Sequence, residues 1–395
     1  MESQPHILFI SSWYPNRNNP THGIFNRHFV EAASLHHKVS VLHVCSEPDL
    51  KTNTEEVNEV KGKLFIHYIY TAKIKLRIPF LSQWVKRGRM LKAYEKGFEV
   101  IKKERGLPQL IHLNVVLPAG IGVLHLHKKH KIPFVVNEGW TGYMKEDGNY
   151  RGFFVKYFTQ KIIKAASYIL PVSQDLQEAM KRHGLKGEYK VLPNVIQTEI
   201  FKPLSNPNFA MSEAERPTFI HVSTFDPRQK NVLGILNAFK KATEKKADLN
   251  LVLVGDEERT SELKNFVKEQ ALEKNVQFKG KMDAVELSNL FNQCKALIMF
   301  SNYESFGVVI GEALACGLPV ISTKAGGLSN MLNKEQGILV EKNNEAQLCD
   351  AILTIADHRV VYDKIALRNF VTERFSEAAI ALKLKKLYQN VISYK

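Results

Sequence analysis

Apolar residues fall in short runs along this chain. "HILFISS", "KVSVLHV", "LFIHYIY", "QLIHLN", "PFVVNE" and "YILPVS" follow one another through its first half. Such runs, rich in β-branched and aromatic residues, predict strands. Between them lie stretches such as "FNRHFVEAASLHH" and "QDLQEAMKRHG", whose apolar positions recur with helical spacing. Strand alternating with helix predicts a parallel α/β sheet. Around "VLPNVIQTEIFKPLSNPNFAMSEAERP" the rhythm breaks, with Pro193, Pro203, Pro207 and Pro217 marking a linker. It restarts with "TFIHVST", "LNLVLVGD", "NVQFKG", "ALIMF" and "PVISTK". The pattern predicts two doubly wound α/β domains in tandem, residues 1–198 and 218–374, with a linker over 199–217 and a cleft between the domains. The closing segment, within 375–395, is an amphipathic helix expected to cross back and brace the first domain.

Length agrees with that division, since 395 residues exceed what one hydrophobic core usually supports. Hydrophobic residues at 44% and charged residues at 24%, with no low-complexity tract, exclude an extensively disordered chain. Cys45, Cys294, Cys316 and Cys349 are far apart and form no CxxC pair, so reduced, packed thiols are expected and zinc is not. The start, "MESQPHILFISSWYP", lacks the basic and long apolar regions of a signal peptide, and no apolar run approaches membrane-spanning length. A cytoplasmic protein is the expectation. Lys and Arg exceed Asp and Glu by 55 to 40, a net charge of +15. That excess attracts nucleic acid, anionic membrane or a phosphorylated ligand, and does not choose among them.

Doubly wound sheets bind ligands beyond the carboxyl ends of their strands. The nearest approach to a dinucleotide fingerprint, "GIGVLH" at 120–125, has His125 in place of the third glycine, and no P-loop is present. Neither a nicotinamide or flavin cofactor nor a P-loop nucleotide is expected. A different signal lies in "SNYESFGVVIGEALACGLPV", residues 301–320. After the strand "ALIMF", Ser305 is placed as an N-cap, "FGVVIGEALA" is helical, Gly317 is placed for a C-cap, and Pro319 opens the next strand. Glu304 then precedes the exposed amides of the helix start, and Glu312 lies on the helix at most roughly 12 Å away. Two carboxylates flanking helix amides suit a ligand with hydroxyl-rich ends and an anionic middle, the form of a nucleoside diphosphate sugar. One capping acid and one solvated glutamate is the other reading of such a spacing.

"NYESFGVVIGEALACGLPVISTKAGG" closely resembles the E-x7-E segment of retaining glycosyltransferases of family 4, the group 1 glycosyl transferases. Further pieces fall in that family's order: "SSWYPNRNNPTHGIF", "PVSQDLQEAM", "VLPNVIQTEIFKP", "HVSTFDPRQKN", "LVLVGDEER" and "QFKGKM". The resemblance covers nearly the whole chain and implies the GT-B fold, two Rossmann-like domains facing a central cleft. The first would lie on the acceptor side and the second would bind nucleotide sugar. By the same resemblance Lys230, with Arg228, neutralises the donor pyrophosphate and stabilises charge as the glycosidic bond breaks. Glu312 binds the ribose hydroxyls and Glu304 the sugar hydroxyls. Ser305, Phe306, Gly307 and Val308 complete the donor segment with backbone amides. Gly23 would allow close approach of a first-domain loop to the phosphates, and backbone near Lys281 and Met282 would meet the base. Glu304, Lys230 and Arg228 are thus the expected catalytic groups.

The chain departs from the family pattern at three places. Gly139 in "VVNEGWTGY" stands where many relatives carry histidine, leaving Glu138, Trp140 and Tyr143 to shape the acceptor site. Thr224 replaces a frequent arginine, and Asn330 stands where an acid is common. Family transfer proceeds with retention, for which a front-face route is commonly proposed, the leaving phosphate helping to deprotonate the acceptor. No DxD is placed for a metal, and Lys and Arg can carry the charge work, so no metal is expected. The histidines of "HLHKKH", 125–130, diverge on a helix and read as a basic helix end.

Around residues 73–92, Lys73, Lys75, Arg77, Lys86, Arg87, Arg89 and Lys92 interleave with Phe80, Leu81, Trp84 and Val85. Such a segment suits an anionic membrane surface, and equally an ordinary helix with a solvated basic face. On the membrane reading a lipid-linked acceptor in polysaccharide or glycolipid assembly follows; otherwise the acceptor is a glycan. A sugar phosphorylase or nucleotide-sugar epimerase is the alternative enzyme. Nucleic-acid binding is not expected, because no recognisable binding module accompanies the charge.

Overall fold

The computed structural model describes residues 4–73, 79–204, 216–256, 258 and 260–393, with the backbone alone for 79–84. The chain forms two compact units. One joins Met1–Tyr143, Gly148–Val195 and Glu377–Lys395; the other joins Met144–Asp147 and Ile196–Ser376.

Unit 1 runs β1 (His6–Ser11), α1 (Ile24–Ser34), β2 (Lys38–Glu47), β3 (Thr54–Lys61), β4 (Leu64–Ala72), α2 (Pro79–Arg105) and β5 (Leu110–Asn114). It continues with α3 (Gly120–His130), β6 (Phe134–Glu138), α4 (Phe153–Ala165), β7 (Tyr168–Pro171) and α5 (Gln174–Arg182). The sheet order is β3-β4-β2-β1-β5-β6-β7. All pairs are parallel except β3, which lies antiparallel on β4 with Val57 opposite Tyr68. β1 and β5 are buried at every position, as strands covered on both faces must be. β3, "TEEVNEVK", is mostly exposed, and its polar sequence gives no apolar run from which to read a strand.

Unit 2 runs β8 (Thr218–Ser223), α6 (Pro227–Lys230), α7 (Val232–Lys245), β9 (Asn250–Gly255), α8 (Ser261–Glu269) and β10 (Val276–Lys279). Then come α9 (Ala284–Phe291), β11 (Ala296–Met299), α10 (Val308–Ala315), β12 (Val320–Thr323), β13 (Gly337–Val340), α11 (Glu345–Ala356) and α12 (Lys364–Phe375). The sheet order is β10-β9-β8-β11-β12-β13, with every described pair parallel. Phe219, Ile235, Phe239, Leu251, Ile298 and Ile352 form part of its core. Both doubly wound sheets predicted from the alternation are present.

The last helix, α13 (Glu377–Ser393), belongs to unit 1. Ile380, Leu384, Leu387, Tyr388 and Val391 recur on one helical stripe and are buried against Ile7, Phe9 and Phe29. Tyr388 Oη hydrogen-bonds His112 Nδ1 at 2.6 Å in β5. Burial holds that imidazole down to about 3 and therefore neutral.

Sheet order locates the binding edges. In unit 2, β8 leads outward to β9 and β10, while β11 leads the other way to β12 and β13, so the winding reverses between β8 and β11. In unit 1 it reverses between β1 and β5. Loops leaving the carboxyl ends of those strands are where a doubly wound sheet takes its ligand.

Candidate active site

Two loops meet at the reversal in unit 2. The first leaves β8 and enters α6, where Asp226 caps the helix by accepting from the amides of Arg228 at 3.0 Å and Gln229 at 3.2 Å. His221 anchors its base. This fully buried imidazole donates from Nδ1 to the Ile298 carbonyl at 2.8 Å. Its Nε2 then accepts from Ser223 Oγ at 2.8 Å, and Ser223 Oγ accepts from the Phe225 amide at 3.0 Å. The bond to a carbonyl fixes the tautomer, and burial lowers the imidazole to about 4, so it is neutral near pH 7. The second loop, Ser301–Gly307, leaves β11. Asn302 stitches it to the first, its amide reaching the Gln229 carbonyl and its Nδ2 the Arg228 carbonyl, each at 2.8 Å.

Across that seam Lys230 Nζ and Glu304 form an ion pair, with side chains only 12% and 7% exposed. Glu304 also accepts from Ser301 Oγ at 2.9 Å and from Gln229 Nε2 at 3.5 Å. Its carboxylate is thus held in place from three sides. Its backbone is tied as well, the Glu304 amide donating to the Ala325 carbonyl at 2.7 Å and the Leu328 amide to the Phe306 carbonyl at 2.6 Å. Gly327, at φ +63°, permits this closeness: a Cβ there would lie 2.4 Å from Phe306 Cα.

The helix after Glu304 starts later than its sequence suggests. Its N-cap is Gly307 in the left-handed region, not Ser305, and no side chain caps it. Ser305 cannot take that role because Phe306 and Gly307 continue the loop before helical geometry begins at Val308. Among the described residues the amides of Phe306, Gly307, Val308 and Val309 make no hydrogen bond. Unpaired amides at a helix start carry partial positive charge and receive anions. Gly317, at φ +75°, stands just past the C-cap, where Leu318 donates to the Ala313 carbonyl in a Schellman closure.

Glu312 projects from α10, partly buried, and its carboxylate has no partner among the described residues. Desolvation raises it from 4.5 to about 7. An acid this unsatisfied gains from a hydroxyl donor. Arg228 is exposed and makes no ion pair among the described residues. Lys281, exposed beyond β10, lies 3.6 Å from Asp256 beyond β9, with the half-buried Met282 next to it. The structure therefore brings Lys230 and Glu304 into contact, sets Arg228 beside Lys230 in α6 and Ser305, Phe306, Gly307 and Val308 directly after Glu304, and leaves Glu312 within α10 and Lys281 and Met282 beyond β10.

The unit 1 residues behave differently. Gly23 begins α1 at φ +67°, and a Cβ there would stand 2.5 Å from the Trp13 carbonyl oxygen. Its glycine is required by the loop's own fold. Glu138 is buried, with Oε1 accepting from the Gly139 and Trp140 amides at 2.9 and 2.8 Å and Oε2 from Val116 at 3.0 Å. Burial pushes the carboxyl up and these amides oppose that rise. Glu138 holds together the loops after β5 and β6, the part of unit 1 that it is expected to shape for an acceptor. Tyr143 is likewise buried, 3.4 Å from Glu138, with Trp140 packed edgewise on its ring at 5.3 Å. A Cβ at Gly139 would make only ordinary contact with Val172, so nothing near it enforces glycine.

His221, Ser223, Gln229 and Ser301 also build this site, and no residue pattern in the sequence sets them apart. His221 opens the stretch "HVSTFDPRQKN", where attention goes to the basic residues, and only the fold brings it to Ile298. One described group has metal-type ligand atoms within 4.8 Å of one another, Glu95, Glu99 and His130, and there Lys129 pairs with Glu95.

Comparison with known proteins matches this chain twice. Residues 207–369 fit the model of glycosyl transferases group 1, and residues 26–200 that of glycosyltransferase family 4. An uncharacterised glycosyltransferase of Methanocaldococcus jannaschii is 27% identical over 87% of this chain and 89% of its own. Sucrose-phosphate synthase from Thermosynechococcus elongatus superposes with a TM-score of 0.75 at 22% identity, over 99% of this chain and 100% of that one. HepE of Anabaena, solved with UDP and glucose, gives 0.71 at 18% identity over 98% and 100%. Two adjoining models that together span most of the chain, on two parallel α/β sheets of GT-B type, place the protein among the glycosyltransferases of group 1 and family 4.

Proposed function

We propose that this glycosyltransferase moves a sugar from a nucleoside diphosphate sugar to a glycan or lipid-linked acceptor, with retention of configuration at the anomeric carbon. The observation that carries the reading is the Lys230–Glu304 pair at the strand-order reversal, two residues before four uncommitted backbone amides. An ammonium and a helix start together suit a pyrophosphate, and a carboxylate held from three sides suits sugar hydroxyls.

In this scheme the amides of Phe306 to Val309 and the Lys230 ammonium bind the diphosphate, and Arg228 reaches it from α6. Glu312 accepts from the ribose hydroxyls, and the backbone by Lys281 and Met282 borders the base. Glu304 holds the transferred sugar. The acceptor oxygen bonds to the anomeric carbon on the face from which the diphosphate departs. The carbon–oxygen bond to phosphate breaks, and the acceptor's proton passes to the departing phosphate oxygen. Lys230 and the amides stabilise the charge that grows there, so no metal or cofactor is required. HepE, solved with UDP and glucose, supports a donor of this chemical class. Among the described residues no helix is long and apolar enough to cross a membrane. We place the enzyme in the cytoplasm, with peripheral contact at the membrane when its acceptor is lipid-linked.

Matches to transferase models favour transfer over the phosphorylase and epimerase alternatives. The test is a panel of α-linked nucleoside diphosphate sugars with glycan and glycolipid acceptors, followed by NMR of the product's anomeric proton. An α-linked product is expected. A β-linked product contradicts retention, and nucleotide-sugar isomerisation without an acceptor contradicts transfer.

A further inference from the structure

Three large aromatic side chains stand in solvent on one short helix: Phe153 is 75% exposed, Phe154 66% and Tyr157 40%. They form a continuous patch, with Phe153 stacked on Tyr157 at 6.0 Å and edge-on to Phe154 at 5.6 Å. The rest of the helix's outer face is polar or basic, the exposed residues being Lys156, Gln160, Lys161 and Lys164, with Arg151 just before it. No acid occurs between Asp147 and Asp175. Its inner face is ordinary core, Ile162 and Ile163 being buried.

The patch continues onto α2. Arg87 lies 4.8 Å from the Phe158 ring, beside exposed Val85 and Lys86. The basic segment singled out in the sequence thus adjoins α4 at its described end; residues 74–78 and the side chains of 79–84 lie outside the described residues. Exposed aromatic clusters of this kind are uncommon on soluble surfaces and mark interaction sites.

We infer that the outer face of α4, with Val85–Arg87 of α2, docks unit 1 onto an anionic lipid bilayer. Phe153 and Phe154 would enter the acyl boundary and Tyr157 the headgroup layer, while Arg151, Lys156, Lys161 and Arg87 pair with lipid phosphates. A protein partner for an all-cationic face would have to supply acids around an apolar centre. A bilayer of anionic lipid offers both along its whole surface, which favours it. The inference deepens the lipid-linked arm of the proposed function and rests on it.

The experiment is flotation of the full chain with vesicles of phosphatidylcholine alone and of phosphatidylcholine with phosphatidylglycerol. The wild type is compared with Phe153→Ser/Phe154→Ser/Tyr157→Ser and with Lys156→Glu/Lys161→Glu. Recovery with anionic vesicles only is expected, falling at least about tenfold in the triple variant. Loss in the lysine variant, and weakening of wild-type binding by salt, are expected too. The altered side chains are exposed, so melting temperatures should hold; if the triple variant melts early, single Phe153→Ser is used and a smaller loss is still required. Wild-type protein that floats with neither vesicle, or a triple variant that floats like wild type, overturns the inference. So does a triple variant that keeps vesicle binding and loses a soluble glycan acceptor, which would make the patch a glycan subsite. Nucleoside diphosphate binding without lipid reports on the donor site separately, so failure of docking and failure of the transferase reading are told apart.

Discussion

Lys230 and Glu304 neutralise each other in a site nearly closed to solvent, so removing either leaves an unpaired charge there. Lys230→Ala is expected to lower stability by about 2 kcal/mol in denaturant titrations and nucleoside diphosphate affinity by about tenfold or more. Glu312 gives a prediction in pH. Its carboxyl is raised in the folded protein, from 4.5 to about 7, so the folded state holds more protons than the unfolded state between those values. Stability contributed at this position is therefore lost as pH rises through that window. Glu312→Gln should flatten the profile and gain on the order of 2 kcal/mol at pH 8, with little change at pH 4. If ribose hydroxyls donate to this carboxylate, the same substitution removes part of the proton release that accompanies nucleotide binding near pH 7, seen by calorimetry in buffers of different ionisation enthalpy. A stability profile identical in the two proteins would contradict a raised Glu312 carboxyl in the folded state.

At the scale of elements, the loop Ala325–Gly327 fixes where Glu304 and Phe306 stand. Gly327→Ala places a methyl group against the Phe306 backbone at positive φ, and should destabilise unit 2 by about 2–3 kcal/mol. Donor affinity should fall with it, checked by melting and nucleotide titration together. The elements around this loop were largely legible, because strands buried on both faces must be short apolar runs and their crossover helices must be amphipathic. β3 escaped since an exposed edge strand needs no apolar run, and the segment "GILV" of β13 is too short to stand out. The start of α10 was misplaced by the ordinary preference for serine caps, where Gly307 instead turns the chain through the left-handed region. Lys230 and Glu304 were found through their motifs. The His221–Ser223–Phe225 chain beneath them was not, because its bonds follow from strand pairing that no local pattern encodes.

On the scale of the whole molecule, the chain's last helix completes the core of its first unit. A chain ending at Ser376 would leave apolar surface around Phe29 and His112 uncovered. It should show an early unfolding transition for unit 1, with nucleotide-dependent stabilisation of unit 2 preserved. A single unshifted transition would contradict the role of α13. The net charge of +15 belongs to this scale as well, favouring anionic ligands and surfaces without selecting either. The proposed transfer requires that unit 2 bind a nucleoside diphosphate at the Lys230–Glu304 seam. Calorimetric titration of UDP, GDP and ADP, without added metal, into wild type, Lys230→Ala and Glu312→Gln tests this most directly. One nucleotide should bind the wild type and bind both variants more weakly; no binding at all, or binding that both substitutions leave unchanged, would contradict it.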